Sequence, residues 1–258
     1  ATLTNGELLQ LPGGALGVAL VAEYGKQGYN LRPDPLALTD YYYSWQDSDG
    51  VGKRSHAAVG GEVRAPVIDG VTLTGAARYD RFGFAGRNVG KFTYNGGIEV
   101  RPVESLLFRA AYGTAFRAPD LHYLFTGPGN VETSVNDYRL CQENNQAIDE
   151  CDYADTGVVA SRSGNRDLKP ETGRTLTAGM VFSPTPRLHL SVDYFRVTLT
   201  NQVDDLDAER LMRIEADCVP ATPGGAATLD PNSPSCQDAF ARIKRFSGGA
   251  LDGQVASI

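Results

Sequence analysis

The sequence predicts an all-β chain, an antiparallel up-and-down transmembrane β-barrel segment of about nine strands. Three observations predict it. Long runs alternate apolar and polar side chains at period two. The connections between the runs sort into short Pro-containing turns and longer loops. The 258 residues include 29 Gly, 12 Tyr and 10 Phe, a mixture suited to strands and turns rather than helices.

The clearest run is Leu106 to Pro119. Leu106, Phe108, Ala110, Tyr112, Thr114 and Phe116 share one face; Leu107, Arg109, Ala111, Gly113, Ala115 and Arg117 share the other. A strand that is apolar on one side, aromatic near one end and about 9–11 residues long meets the demand of a bilayer. Residues 1–11 read as a first strand and Pro12-Gly13-Gly14 as a turn. In 16–31, Leu16, Val18, Leu20, Ala22 and Tyr24 share a face, with Glu23 opposite. In 53–65, Ala57, Val59, Gly61 and Val63 oppose His56, Glu62 and Arg64. In 71–83, Val71, Leu73, Ala77 and Tyr79 oppose Thr72, Thr74, Arg78 and Asp80. In 91–101, Phe92, Tyr94, Ile98 and Val100 oppose Lys91, Thr93, Glu99 and Arg101. The pattern resumes in 172–183 and 187–203, where Leu188, Leu190, Val192 and Tyr194 oppose His189, Ser191 and Asp193. A short helix is expected near Leu206 to Ala216 and a ninth strand from Asp252.

The short connections, 12–15, 66–70, 102–105 and 184–186, all contain Pro. They alternate with longer ones at 32–52, 84–90, 118–171 and 204–250. Up-and-down strands then place every short turn on one rim and the long loops on the other, as transmembrane barrels do. A Greek-key sandwich has no reason to sort its loops this way. Residues 118–171 and 204–250 read as long connections, with no strand periodicity in the first. In a barrel the apolar faces meet lipid, and Glu23, Glu62, Arg64, Arg78, Asp80, Glu99, Arg101, Arg109 and Asp193 line a wet lumen or a polar plug. A solvated sheet face is the plainer reading of the same set.

The formal net charge of -7 argues against a nucleic-acid footprint. No apolar run reaches the ~18 residues of a transmembrane helix, a test blind to barrels. His56, His122 and His189 stand apart, without a Gly-x-Ser-x-Gly elbow. Asp47-Ser48-Asp49-Gly50 begins like a calcium loop, but Ala58 stands where the bidentate acid belongs. Gly127-Pro128-Gly129 lacks the strand-to-helix setting of a phosphate loop. No enzyme activity, metal or cofactor is therefore expected. Compartment and spacing pair Cys141 with Cys151 and Cys218 with Cys236, each bond pinning a long loop. Zinc would want a Cys-x-x-Cys or a nearby His pair, and the chain has neither.

Tyr112-Gly113-Thr114-Ala115-Phe116-Arg117-Ala118-Pro119 resembles the mid-barrel signature of TonB-dependent outer-membrane receptors. So does Asn165-Arg166-Asp167-Leu168-Lys169-Pro170-Glu171, with Asp193-Tyr194-Phe195 in the strands that follow. Ala22-Glu23-Tyr24 and Arg32-Pro33-Asp34 resemble the same family upstream. The likeness spans about residues 10–205. It implies a Gram-negative outer-membrane receptor importing a scarce nutrient of the siderophore-iron, cobalamin or oligosaccharide class, powered through TonB, with loops outside. Its implied partners are outer-membrane lipid, TonB, a plug domain of the full-length protein and a small nutrient ligand.

The family's plug, TonB box and last strands have no counterpart here, and no secretory leader heads the chain. The expectation is a partial barrel over 1–258, excised from a longer protein. Its unpaired edges would then pair with another copy, close into a smaller barrel or shed strands. An unplugged porin or autotransporter-type barrel is one alternative, and a secreted soluble β-sheet carbohydrate-binding protein another. Ligand contacts are expected near the long-loop rim. Tyr42 and Trp45, with Tyr41 and Tyr43, would stack on a sugar or chelate; Arg117, His122, Tyr123 and Phe125 cap the signature strand. An interfacial aromatic girdle accounts for the same residues, and both readings stay open at this point.

Overall fold

A computed structural model describes residues 1–39, 41–43, 45–221 and 225–258. Positions 40 and 44 of loop 32–52, and 222–224 of loop 204–250, lie outside the described residues. In chain order the strands and helices are β1 (Thr2–Leu11), β2 (Gly14–Leu31), β3 (Trp45–Gln46), β4 (Gly50–Ile68), β5 (Val71–Phe84), β6 (Arg87–Val103), β7 (Leu106–Arg117), α1 (Leu121–Phe125), β8 (Gly129–Val135), α2 (Tyr138–Glu143), β9 (Thr156–Arg162), β10 (Glu171–Thr185), β11 (Leu188–Thr200), α3 (Ala208–Asp217), α4 (Pro234–Arg242), β12 (Lys244–Arg245) and β13 (Val255–Ser257). They divide into a sheet unit (1–29, 51–124, 165–203) and a loop unit (30–50, 125–164, 204–258).

The sheet unit is one eight-stranded sheet in the order β1-β2-β4-β5-β6-β7-β10-β11. β1 pairs with β2, β4 with β5, β5 with β6, β6 with β7, β7 with β10 and β10 with β11, each antiparallel. The alternation read from the sequence becomes two faces. One row of the outer face runs Leu73, Ile98, Ala110, Ala178, Tyr194 across five strands. The next inner row toward the loops runs Thr74, Gly97, Ala111, Thr177, Phe195. The outer face is bare: Tyr79, Phe92, Tyr94, Ile98, Phe108, Tyr112, Leu176, Leu190 and Tyr194 are all exposed. A contiguous apolar face of this size has to be covered by something other than water.

The turns are tighter than the sequence suggested. Strands β4 and β5 are joined by Asp69-Gly70, β6 and β7 by Glu104-Ser105, and β10 and β11 by Pro186-Arg187. Pro66, Pro102 and Pro184 sit inside strands instead, where the registers shift between Pro66 and Ile68, Val100 and Val103, and Phe182 and Thr185. A residue without an N–H belongs at such a bulge, where the ladder is already interrupted. The expected longer loop at 84–90 is also a two-residue hairpin, Ala85-Gly86, with φ of 48° and 76°. Two successive left-handed residues match the twist of the flanking strands.

The loop unit corrects the reading of 118–171 and 204–250 as plain connections. Strands β8 and β9 pair antiparallel from Gly129↔Arg162 to Val135↔Thr156, and join β3, β12 and β13 in a second sheet. The ninth strand expected from Asp252 is β13, which runs parallel to β9 here rather than extending the large sheet. Its neighbours are too short and too polar for periodicity to show. Helix α3 matches the expected helix, and its Leu211 and Met212 pack with Val135, Val158, Ala239, Ile243 and Val255 into a closed core. Disulfides join Cys141 to Cys151 and Cys218 to Cys236.

Two charged groups brace this core. The Arg245 guanidinium donates to Asp137 at 2.7 and 3.0 Å, to Glu215 Oε1 at 2.9 Å and to the Gly253 carbonyl at 2.7 Å. Burial works against that charge, but Glu215 and Asp137 more than offset it and push the guanidinium above its ordinary range. Glu209 accepts from the Asn136 N–H at 3.0 Å, the Asn136 amide at 2.9 Å and the Tyr138 hydroxyl. Burial alone would raise its pKa; these donors and Arg213 hold it below 4.5. A carboxylate so depressed stabilises the fold above its unfolded pKa and loses that contribution as pH falls through the folded value. Urea unfolding followed through Trp45, the single Trp and a loop-unit residue, is therefore expected to weaken below about pH 4.5. Glu209→Gln should flatten that slope; an unchanged slope would remove Glu209 from the account.

The polar face of the sheet as candidate functional site

The inner face of the sheet unit gathers the charges. Glu23 comes from β2, His56 from β4, and Arg78 and Asp80 from β5, all at alternating positions that point one way. Arg78 Nη2 meets Glu23 Oε2 at 2.6 Å, and its Nε meets Asp80 Oδ2 at 2.9 Å. His56 Nε2 lies 2.8 Å from Asp80 Oδ1. The Asp80 side chain is largely withdrawn from solvent at 12% exposure, which it tolerates because both carboxylate oxygens are partnered.

Toward the loops the ladder turns aromatic. The His56 ring stacks on Phe82 at 4.3 Å and 9°, and the Arg54 guanidinium sits 5.0 Å over the same ring. Arg54 is held by Gln27 Oε1 at 2.6 and 3.0 Å and by the Pro119 carbonyl at 2.7 Å. Further round the sheet, Arg109 on β7 meets Asp193 on β11 at 2.8 Å. The two are separated by β10, where Gly179 stands in register with both. A Cβ there would collide with the Asp193 carboxylate, so the glycine lets the pair close across it. Arg117–Glu171 at 3.3 Å and Arg87–Asp167 at 2.9 Å complete the set.

Such a face can hold water or a polar domain and is unsuited to hydrocarbon. One Ser–His contact lies on it, Ser183 Oγ to His189 Nδ1 at 2.9 Å in an exposed position beside the Pro186-Arg187 turn, and among the described residues no group of three or more His, Cys, Asp or Glu is placed to hold a metal ion.

The residues expected to touch ligand fall into two groups. In the sheet unit, Arg117 is ion-paired to Glu171. His122 Nδ1 lies 3.1 Å from the Tyr29 hydroxyl, and its ring is T-shaped to Tyr123 at 5.6 Å. In the loop unit, Tyr42 and Trp45 form an exposed pair with ring centroids 5.8 Å apart, and Tyr41 abuts Tyr42 at 5.2 Å. Trp45 belongs to β3, which pairs with β8. The outer-face aromatics of the sheet unit include Tyr24, Tyr79, Phe92, Tyr94, Phe108, Tyr112, Phe182 and Tyr194. Phe125 is buried, so its ring packs and is not presented to a ligand. Sequence reasoning did not single out Arg54, Gln27 and Tyr29. Their signal was the continued alternation of β2 past Glu23 through Gln27 to Tyr29.

Among the described residues no helix is long and apolar enough to cross a membrane, which says nothing of strands. A search of the solved structures finds HasR, the hemophore receptor of Serratia marcescens, as a double mutant in complex with its hemophore HasA and heme. It is 15% identical, with a TM-score of 0.40, over 71% of this chain and 33% of that one. The siderophore receptor PirA from Acinetobacter baumannii is 14% identical, with a TM-score of 0.35, over 72% of this chain and 28% of its own. The chain thus spans about a third or less of those receptors. A comparison with curated protein sequences finds no match. The model of the family described as TonB dependent receptor-like, β-barrel, matches residues 2–211. With an apolar outer face, a charged inner face and that match over most of its length, the chain belongs to the TonB-dependent receptor β-barrel family of the outer membrane.

Proposed function

We propose that this chain is the central portion of the barrel of a receptor importing a scarce nutrient, of the siderophore-iron, cobalamin or oligosaccharide class. TonB supplies the energy, and a plug domain from elsewhere in the full-length protein fills the lumen. The long-loop rim is extracellular. The observation that carries this reading is an inner face that carries both signs and joins several of its charges in pairs, Glu23–Arg78–Asp80–His56 and Arg109–Asp193. A pore that selects ions by charge needs an uncompensated field in its lumen; a paired face suits a docked polar domain.

Nutrient contacts are assigned to Tyr42 and Trp45 on one loop and to Arg117, His122 and Tyr123 above the signature strand. The isolated 258-residue chain self-associates on this reading, because β11 is exposed along its whole length and β1 along nearly all of its own. Conductance of the full-length protein in planar bilayers separates the readings. A plugged receptor conducts little until the plug is removed; large steady conductance from the intact protein would favour the unplugged porin. Trp45→Ala is expected to weaken nutrient binding several-fold, the weight of about 0.5–1.5 kcal/mol for one aromatic contact.

A further inference from the structure

Acidic and basic side chains are divided unevenly between the two units. The loop unit holds 20 Asp and Glu against 8 Lys and Arg, a formal charge of -12, and the sheet unit holds 11 against 16, or +5. Four of the loop unit's bases, Arg139, Arg213, Arg242 and Arg245, are already paired with its own acids. The negative excess belongs to its surface, and a field of one sign raises the local concentration of oppositely charged solutes.

That field surrounds the aromatic cluster of loop 32–52. From Pro33 to Gly50 the sequence has Asp34, Asp40, Asp47 and Asp49 and no base; from Phe125 to Tyr138 it has Glu132 and Asp137 and again no base. Trp45↔Val131, Gln46↔Asn130 and Gly50↔Thr126 share one antiparallel register, so the two segments run side by side. Asp47 and Asp49 follow Trp45 by about 7 and about 13 Å along the chain. Asp47 Oδ1 accepts the Ser48 N–H at 2.8 Å, and Asp49 is exposed; among the described residues no base pairs with either. The base at this end of the small sheet is Arg162, which stands in register with Gly129 on β9, two strands from β3.

The rings themselves are open. Tyr42 and Trp45 are 41% and 42% exposed, and Tyr41 is 67% exposed. Trp45 is tilted 46° to Tyr42, and Tyr41 stands edge-on to Tyr42. Elsewhere the protein lays an arginine over an aromatic face, Arg54 on Phe82 and Arg213 on Tyr138; among the described residues no base covers the rings of this cluster. An indole face is the best aromatic acceptor of a cation. Inclined rings beside carboxylates without a basic partner favour an ammonium over a carboxylate or a neutral hydroxyl. We propose that Tyr42 and Trp45 receive a positively charged group, an ammonium or guanidinium borne by the nutrient. This rests on the nutrient contact assigned to these rings above and adds the charge of what they take.

The test titrates the full-length protein in non-ionic detergent with three probes of one shape: choline, its neutral carbon isostere neohexyl alcohol, and the carboxylate tert-butylacetate. Saturation-transfer NMR on the methyl signal that each probe carries reads the affinities. Choline should bind about tenfold tighter than the alcohol, and the carboxylate should bind more weakly than either. Added salt should weaken choline and leave the alcohol unchanged. Asp47→Asn/Asp49→Asn should lower choline affinity several-fold at constant alcohol affinity. Trp45→Leu should make the two bind alike, and Trp45→Phe should keep part of the preference. Absence of choline binding, equal affinity of the two isosteres, tighter binding of the carboxylate, or a full choline preference in Trp45→Leu or the double Asp variant overturns the proposal. Those outcomes leave a nutrient contact at Tyr42 and Trp45 standing; that reading fails separately, if Trp45→Ala leaves nutrient binding unchanged.

Discussion

Arg245→Met should destabilise the loop unit by about 3–5 kcal/mol, because it strands two carboxylates in the interior. Asp137 and Glu215 are both nearly fully buried, and Arg245 makes most of their ionic contacts; Arg139 reaches Glu215 only at 3.5 Å. Asp137 also caps α2 by accepting from the Leu140 N–H at 3.2 Å, so its rearrangement would fray that helix as well. Urea titration of the full chain, followed through Trp45, reads the loss. Neutralising the partners as well, with Asp137→Asn and Glu215→Gln, should recover part of it, since the penalty comes from unpaired charge rather than from lost packing. A loss under about 1 kcal/mol would mean that the pair is solvated and that the buried network does not exist.

The second large effect separates the two faces of a single strand. Ala110 and Ala111 are chain neighbours on β7, yet Ala110 lies in the row Leu73, Ile98, Ala178, Tyr194 and Ala111 in the row Thr74, Gly97, Thr177. Ala110→Arg places a guanidinium in hydrocarbon and should lower stability in lipid vesicles by about 2–4 kcal/mol near the midplane. Ala111→Arg places the same group on the wet face and should change stability by less than about 1 kcal/mol. Equal effects would mean that both faces see the same solvent.

That contrast was legible before any coordinates, because period-two alternation survives wherever one face meets an apolar phase. It is why Arg78, Asp80, Glu99, Arg109 and Asp193 could be assigned together to a single face. The partners within that face were not legible. Arg78 reaches Glu23, 55 residues away in sequence, and Arg109 reaches Asp193 across an intervening strand, pairings that only register decides. The loop unit was the least legible part. Its strands are short, and β8, Gly-Asn-Val-Glu-Thr-Ser-Val, carries too few apolar positions to set a period. Its fold is specified by two disulfides, a small core and Arg245, which acts across 108 residues. Phe125 shows the same limit at the scale of one side chain. An aromatic a few residues past a strand reads equally as a ligand contact or a core residue, and the structure buries this one at the end of α1.

The central claim is that β5 and its neighbours turn their apolar face to lipid and their charged face to an enclosed aqueous space. Spin labels placed singly from Val71 to Phe84 in the full-length protein, reconstituted in vesicles, test it most directly. Leu73, Gly75, Ala77 and Tyr79 should show high collision rates with oxygen, and Thr74, Ala76, Arg78 and Asp80 low ones, at strict period two. Contact of the Leu73–Tyr79 set with a water-soluble relaxant, or loss of the period altogether, would contradict it.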